Sequence, residues 1–189
     1  MKTHTALFAL VLALADVTFA RELPSKISSE IRAYRTGSSL GILYGWRYAH
    51  YRSEYFSAGG AGFTGQLNGT DQGTFSYGGL TAAISKTFKK TGSIEFSVLA
   101  GGGGGTLGTA TAGGITIEPN FSATFILGDT VHAGLNAGYV WLPSSATFTG
   151  FSVGIRFEFI TDPDADRSRA EKRREKDDEQ PTSQPAVVN

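Results

Sequence analysis

The sequence predicts an all-β chain closed into an antiparallel transmembrane barrel of eight strands, and three observations lead there. Between Ser39 and Ile160 the chain breaks into segments in which apolar side chains recur at every second position, the period of a β-strand. These segments run to roughly 11–14 residues, longer than an ordinary strand and enough to cross a bilayer when tilted. Glycine (25 residues) and aromatics are abundant while cysteine is absent. This composition suits a tightly curved sheet and rules out disulfides and thiolate chemistry.

In chain order, residues 1–20 read as a secretory signal: Lys2 supplies the positive start, Ala6 to Ala15 the apolar stretch and Thr18-Phe19-Ala20 the small-residue cleavage site. That stretch is too short for a spanning helix, and Asp16 interrupts it. No later segment could form such a helix, so a membrane crossing must be made by strands. Residues 21–160 form the barrel domain.

Counting back from its end places strands at about 148–160, 130–142, 114–127, 93–104, 74–87, 54–66 and 39–51, with a first strand at 26–36 needed for an even number. The first is weakly patterned, with Ile27, Ile31 and Ala33 against Ser28, Glu30, Arg32 and Tyr34; the third is diluted by Gly59, Gly60, Gly62 and Gly65. The last is the clearest: Phe151, Val153, Ile155, Phe157 and Phe159 lie opposite Gly150, Ser152, Gly154, Arg156 and Glu158.

Turns give the orientation. Leu127-Gly128-Asp129-Thr130 and Lys89-Lys90-Thr91-Gly92 are tight connections of the short periplasmic kind. Gly101 to Gly114 is then an outer loop with its flanking strand ends, and Pro143 to Thr147 a shorter one. The glycine run has no following helix, which argues against a phosphate-binding loop. Residues 161–189 turn abruptly to Asp, Arg, Lys and Glu, then Pro, Ser and Gln, without an aromatic. They are expected to form a disordered tail, with a short helix possible at 167–179. Such a tail is chiefly solubilising and could touch the cell wall.

A soluble periplasmic sandwich or lipocalin-like barrel would show the same alternation. Membrane insertion is favoured because the polar face is mainly Gly, Ser, Thr and Asn rather than Lys, and because aromatics gather at segment ends. Trp46, Tyr139, Trp141 and Phe148 are assigned to the girdles at the membrane–water boundaries.

Ser152-Val153-Gly154-Ile155-Arg156-Phe157-Glu158-Phe159 resembles the C-terminal signal by which the bacterial barrel-assembly machinery recognises its clients. Ser152 is the polar residue, Gly154 the glycine, and Phe157 and Phe159 the two aromatics; the long tail after them departs from the usual pattern. The stretch from about 26 to 160 is similar in pattern to the small eight-stranded barrels of Gram-negative outer membranes, the OmpX and OmpA membrane-domain kind. The resemblance implies a place in the cell outer membrane, with its lipid and the assembly machinery as partners. It carries over no functional residue.

The inward face gathers Arg47, Glu95, Glu118, His132, Arg156 and Glu158, which are expected to form a charge network in an otherwise small, polar lumen. Such a network would plug the lumen; the alternative is a narrow conduit for small solutes. Charge is balanced, with 17 basic and 17 acidic residues, so nucleic acid is not an expected partner. His50-Tyr51-Arg52-Ser53-Glu54 brings a histidine, a serine and a carboxylate together at a turn, without the His-x-Ser spacing of lipid A deacylases. No nucleophile, base and orienting group emerge as a set, so no catalytic residues are assigned, and no metal or cofactor is expected. The function expected is that of a non-catalytic outer-membrane protein with a structural or surface-interaction role.

Overall fold

A computed structural model describes residues 24–37, 39–69, 72–88, 91–128 and 130–161. The expected signal segment 1–20 and the tail from 162 onward lie outside them. The described chain is eight antiparallel strands paired in sequence order, with the last closing on the first. They are β1 (Ser25–Thr36), β2 (Ser39–Tyr51), β3 (Phe56–Asn68), β4 (Gly73–Phe88), β5 (Gly92–Leu107), β6 (Ala110–Ile126), β7 (Val131–Val140) and β8 (Gly150–Thr161). Closure leaves no free sheet edge along the body of the wall, which is what a strand needs in a medium without hydrogen-bonding solvent.

The two weak segments are both strands. β1 pairs with β2 from Ser25↔His50 to Thr36↔Ser39 and with β8 from Ser25↔Thr161 to Arg35↔Phe151. β3 begins and ends two residues later than expected, and its glycines pair with both neighbours. A path straight across the ladder runs from Tyr34 through Ser152, Gly138, Asn120, Ser97, Ala83, Ser57 and Tyr51, whose N–H donates to the Pro24 carbonyl. It therefore returns ten residues from where it left. That stagger tilts the strands to about 35–45° from the barrel axis. Successive strands thus climb: a residue of β5 stands higher than its row-mate on β2, taking the end that holds Pro24 and Thr161 as the lower one.

Gly101–Gly114 is not an outer loop. Its residues are paired strand from Gly101↔Thr116 to Leu107↔Ala110, and the chain reverses at Gly108 and Thr109, Gly108 having φ 57°. A run of glycines costs a strand little here because its backbone bonds are made on both sides. On its β6 side the β5–β6 hairpin rises beyond the end of β7, where the Ser144 hydroxyl donates to the Gly113 carbonyl at 3.1 Å. Connections at the upper end are short except for 141–149, which includes the 3-10 turn Ala146–Phe148.

The outer wall is apolar. Ile27, Ile42, Phe96, Phe121, Leu135, Ile155 and their row-mates are exposed, whereas the alternate positions are buried in the lumen. An apolar surface this extensive on a folded chain marks contact with lipid or a partner rather than water.

Candidate functional site: the lumen

Side chains of alternate residues on all eight strands point inward, and they divide the lumen into two levels. The lower level is charged. Lys26, Arg32, Arg47 and Arg156 face Glu30, Glu95, Glu118 and Glu158, all buried, so the formal charges of the cluster balance. Arg156 is its centre: Nε lies 3.0 Å from Glu30 Oε1, and Nη1 lies 2.8 Å from Glu95 and 3.3 Å from Glu158. Nη1 also donates to Ser122 Oγ at 2.8 Å, and Nη2 donates to Asn120 Oδ1 at 3.3 Å. Arg47 Nε stands 3.4 Å from Glu30 Oε1, and its Nη1 donates to Ser97 Oγ at 3.0 Å. Lys26 pairs with Glu95 and lies 3.6 Å from Glu158. His132 Nδ1 is 3.9 Å from the far oxygen of Glu158. An unpaired charge in such a site would cost several kcal/mol, and multiple partners per ion are what make the arrangement tolerable.

Six of these residues are legible in the alternation of their strands. Lys26, Glu30 and Arg32 are not assigned to the network by sequence, because β1 itself is weakly patterned; yet Glu30 is the carboxylate that three guanidinium groups share. The signal that could have found them is parity: Lys26, Ser28, Glu30, Arg32 and Tyr34 occupy one face of β1. Arg47 Nε and Nη2, Glu118 Oε2 and Asn136 Oδ1 have no hydrogen-bond partner among the described residues.

The upper level is apolar, which corrects the expectation of a mostly small, polar lumen. Tyr34, Leu43, Phe63, Leu67, Phe75, Tyr77, Leu99, Val140, Leu142 and Phe148 form one buried cluster. Its rings are in register: Phe75 lies 5.5 Å from Tyr34, 5.3 Å from Tyr77 and 5.3 Å from Phe148, and Phe63 is 5.1 Å from Tyr77. The segment 141–149 closes the top. Tyr34 donates its hydroxyl proton to the Phe148 carbonyl, and Thr36 Oγ1 reaches the Thr149 carbonyl at 2.9 Å. Leu142 N–H donates to Thr149 Oγ1 at 3.0 Å. Arg32 sits where the levels meet, its guanidinium carbon 4.0 Å from the Phe63 ring centre, donating to Tyr77 Oη at 3.2 Å and paired with Glu30 (2.5 Å) and Glu118.

Phe148 therefore belongs to no girdle: it is fully buried, because the 141–149 segment turns inward and carries it under the rim. Trp46 faces outward at mid-strand, opposite Ser29 and Gly62. Tyr139 and Trp141 do face outward at the upper end of β7, with Tyr139 4.7 Å from the Phe151 ring. Of the residues likened to an assembly signal, Ser152 and Gly154 point into the lumen, while Phe157 and Phe159 are exposed on the outer wall at the lower end. Near the lower rim His50 Nδ1 lies 2.9 Å from Ser25 Oγ, which is 3.4 Å from Tyr48 Oη. No carboxylate is hydrogen-bonded to that pair among the described residues.

No protein-family model and no curated protein matches the chain. Among solved structures, Neisserial surface protein A is similar at a TM-score of 0.56 and 7% identity, over 74% of this chain and 95% of that one. Ail, the attachment invasion locus protein of Yersinia pestis, is similar at 0.50 and 12% identity, over 74% and 99%. The N-terminal β-barrel domain of Pseudomonas aeruginosa OprF stands at 0.48 and 14%, over 75% and 99%. The chain has the eight-stranded outer-membrane β-barrel fold, and identities this low speak for the fold alone.

Proposed function

We propose that the protein spans the outer membrane as a closed, non-catalytic barrel whose role is structural or interactive rather than transport. The observation that carries this reading is the two-level filling of the lumen. A balanced ion cluster occupies the lower half and a ring cluster the upper half, and a solute would have to displace both. Dehydrated apolar packing at one level is a barrier to ions, and paired charges at the other hold the wall together rather than line a channel. The apolar outer wall supports insertion, with Tyr139 and Trp141 as upper anchors and Phe157 and Phe159 as lower ones. Chain ends at the lower rim would lie in the periplasm, where the charged tail could meet the cell wall. The last strand would be read by the barrel-assembly machinery through Ser152, Gly154, Phe157 and Phe159.

Two measurements test this. Unheated and boiled protein from the outer-membrane fraction should migrate differently on a detergent gel, as a heat-stable closed sheet does. Protein reconstituted in a planar bilayer should give no unitary conductance. Steady ion-selective steps would instead favour the conduit, and recovery from the soluble periplasm would favour a soluble barrel.

A further inference from the structure

The outer wall is not uniformly apolar. Two adjoining grooves of about 400 and 450 Å³ run along the seam of β2 with β3 and share Tyr44 and Thr64. One wall is Trp46, Tyr44 and Ile42, all outward on β2. Opposite them stand exposed Thr64, Gln66 and Asn68 on β3, since Tyr44 pairs with Thr64, Ile42 with Gln66 and Leu40 with Asn68. The row continues onto β4, where Thr64 Oγ1 and Ser76 Oγ are 2.7 Å apart. At the Trp46 end the floor is bare backbone, Gly62, Gly78 and Gly102 lying in one row.

The groove thus changes character along its length. At mid-strand height it offers an aromatic wall and a glycine floor, a slot for a hydrocarbon chain. Toward the rim, where the tilt lifts β3 and β4 above β2, it offers hydroxyls and a carboxamide beside a tyrosine ring. No charged side chain points outward on β2–β5 above Trp46; on β1 the outward-facing Arg35 stands opposite Leu40. A headgroup held there must be recognised by neutral hydrogen bonds and contact with an aromatic face, because an anionic one would call for a cationic partner. A chain below and a neutral polyhydroxyl head above describe one molecule.

We infer that this groove binds a membrane lipid with a saccharide headgroup, its acyl chain against Trp46 and Gly62 and its sugar against Tyr44, Thr64 and Gln66. The inference rests on the membrane-spanning reading above. Gly62 provides the probe: nothing lies within 4 Å of a Cβ added there, so the side chain of Gly62→Leu starts from open space and projects into the slot.

The test uses the full chain with Trp141→Phe, leaving Trp46 as the reporting tryptophan, reconstituted in phosphatidylcholine vesicles. Insertion is checked first by the heat-dependent gel shift. Failure at that step overturns the membrane reading and the inference that rests on it, whereas the titration outcomes below bear on the groove alone. Diglucosyl diacylglycerol is then titrated into the vesicles against phosphatidylglycerol of the same chains. The expected result is a saturable change in Trp46 emission with the sugar lipid, unmoved by phosphatidylglycerol, and a half-saturation raised about tenfold by Gly62→Leu. Thr64→Val with Gln66→Leu should raise it similarly. Equal response to both lipids, no saturation in the inserted protein, or unchanged titration of the variants overturns the inference.

Discussion

Glu30 and Arg156 are cross-strand neighbours at the seam where the barrel closes, with Nε of the arginine 3.0 Å from Oε1 of the glutamate. The first and last strands are thereby joined by a charge pair as well as by their backbone ladder. The same guanidinium reaches Glu95 on β5 across the lumen. Removing it leaves buried carboxylates without their shared cation.

Arg156→Ala is therefore expected to destabilise the folded barrel by about 3–5 kcal/mol, the cost of breaking a buried pair and stranding its partners. Urea unfolding in detergent, followed by loss of the heat-shifted gel band, measures it. A midpoint equal to that of the parent would show that the cluster does not hold the seam.

Gly154 makes a second demand on the same seam. A Cβ at this position would run into the Ile31 carbonyl and lie 2.7 Å from Arg32 Cγ, on the facing strand. Gly154→Val is expected to cut the yield of heat-shifted protein severely, whereas Gly62→Leu, which meets open space, should leave it unchanged. Equal yields would remove the close approach as the reason for a glycine in β8.

Phe148 carries the upper closure. Phe148→Ala deletes a fully buried ring stacked on Phe75 and is expected to cost about 3–5 kcal/mol by the same gel assay. The lower ion cluster remains, so planar-bilayer recordings of this variant should still be silent. Steps appearing in it would place the whole barrier at the ring cluster.

Pro119 interrupts the β6–β7 ladder. Ile117 and Trp141 exchange both backbone hydrogen bonds, which puts position 119 two residues on in the same bonding register, facing Tyr139. Proline has no N–H to donate there. Pro119→Val should add a bond worth about 0.5–1.5 kcal/mol and slow amide exchange along the upper part of β7. Exchange as fast as in the parent would mean that the seam is not loosened by the proline.

Much of this architecture was legible because a strand has a period of two. Parity assigns Arg47, Glu95, Glu118, His132, Arg156 and Glu158 to one face of their strands and Phe151 to Phe159 to the other, whatever the strands pair with. The glycine run from Gly101 to Gly105 was less legible. Without side chains it has no parity, and a paired strand and a loop look alike until the partner strand is known. Phe148 misleads for a related reason: just outside a strand, alternation no longer fixes which way a ring points.

The sequence by itself determined most of the strands and their inward and outward faces, since these follow from local periodicity and from the need to bury or solvate each side chain; the even number came from the requirement that a closed barrel begin and end on one side of the membrane. Only the tertiary structure decided what meets across the lumen. The ten-residue stagger on closing the sheet sets which inward side chains share a level. It brings Glu30 to arginines of its two neighbouring strands, gathers rings from three strands over Arg32, and folds the 141–149 segment in to cap them. Register and closure are long-range properties, and no single strand contains them.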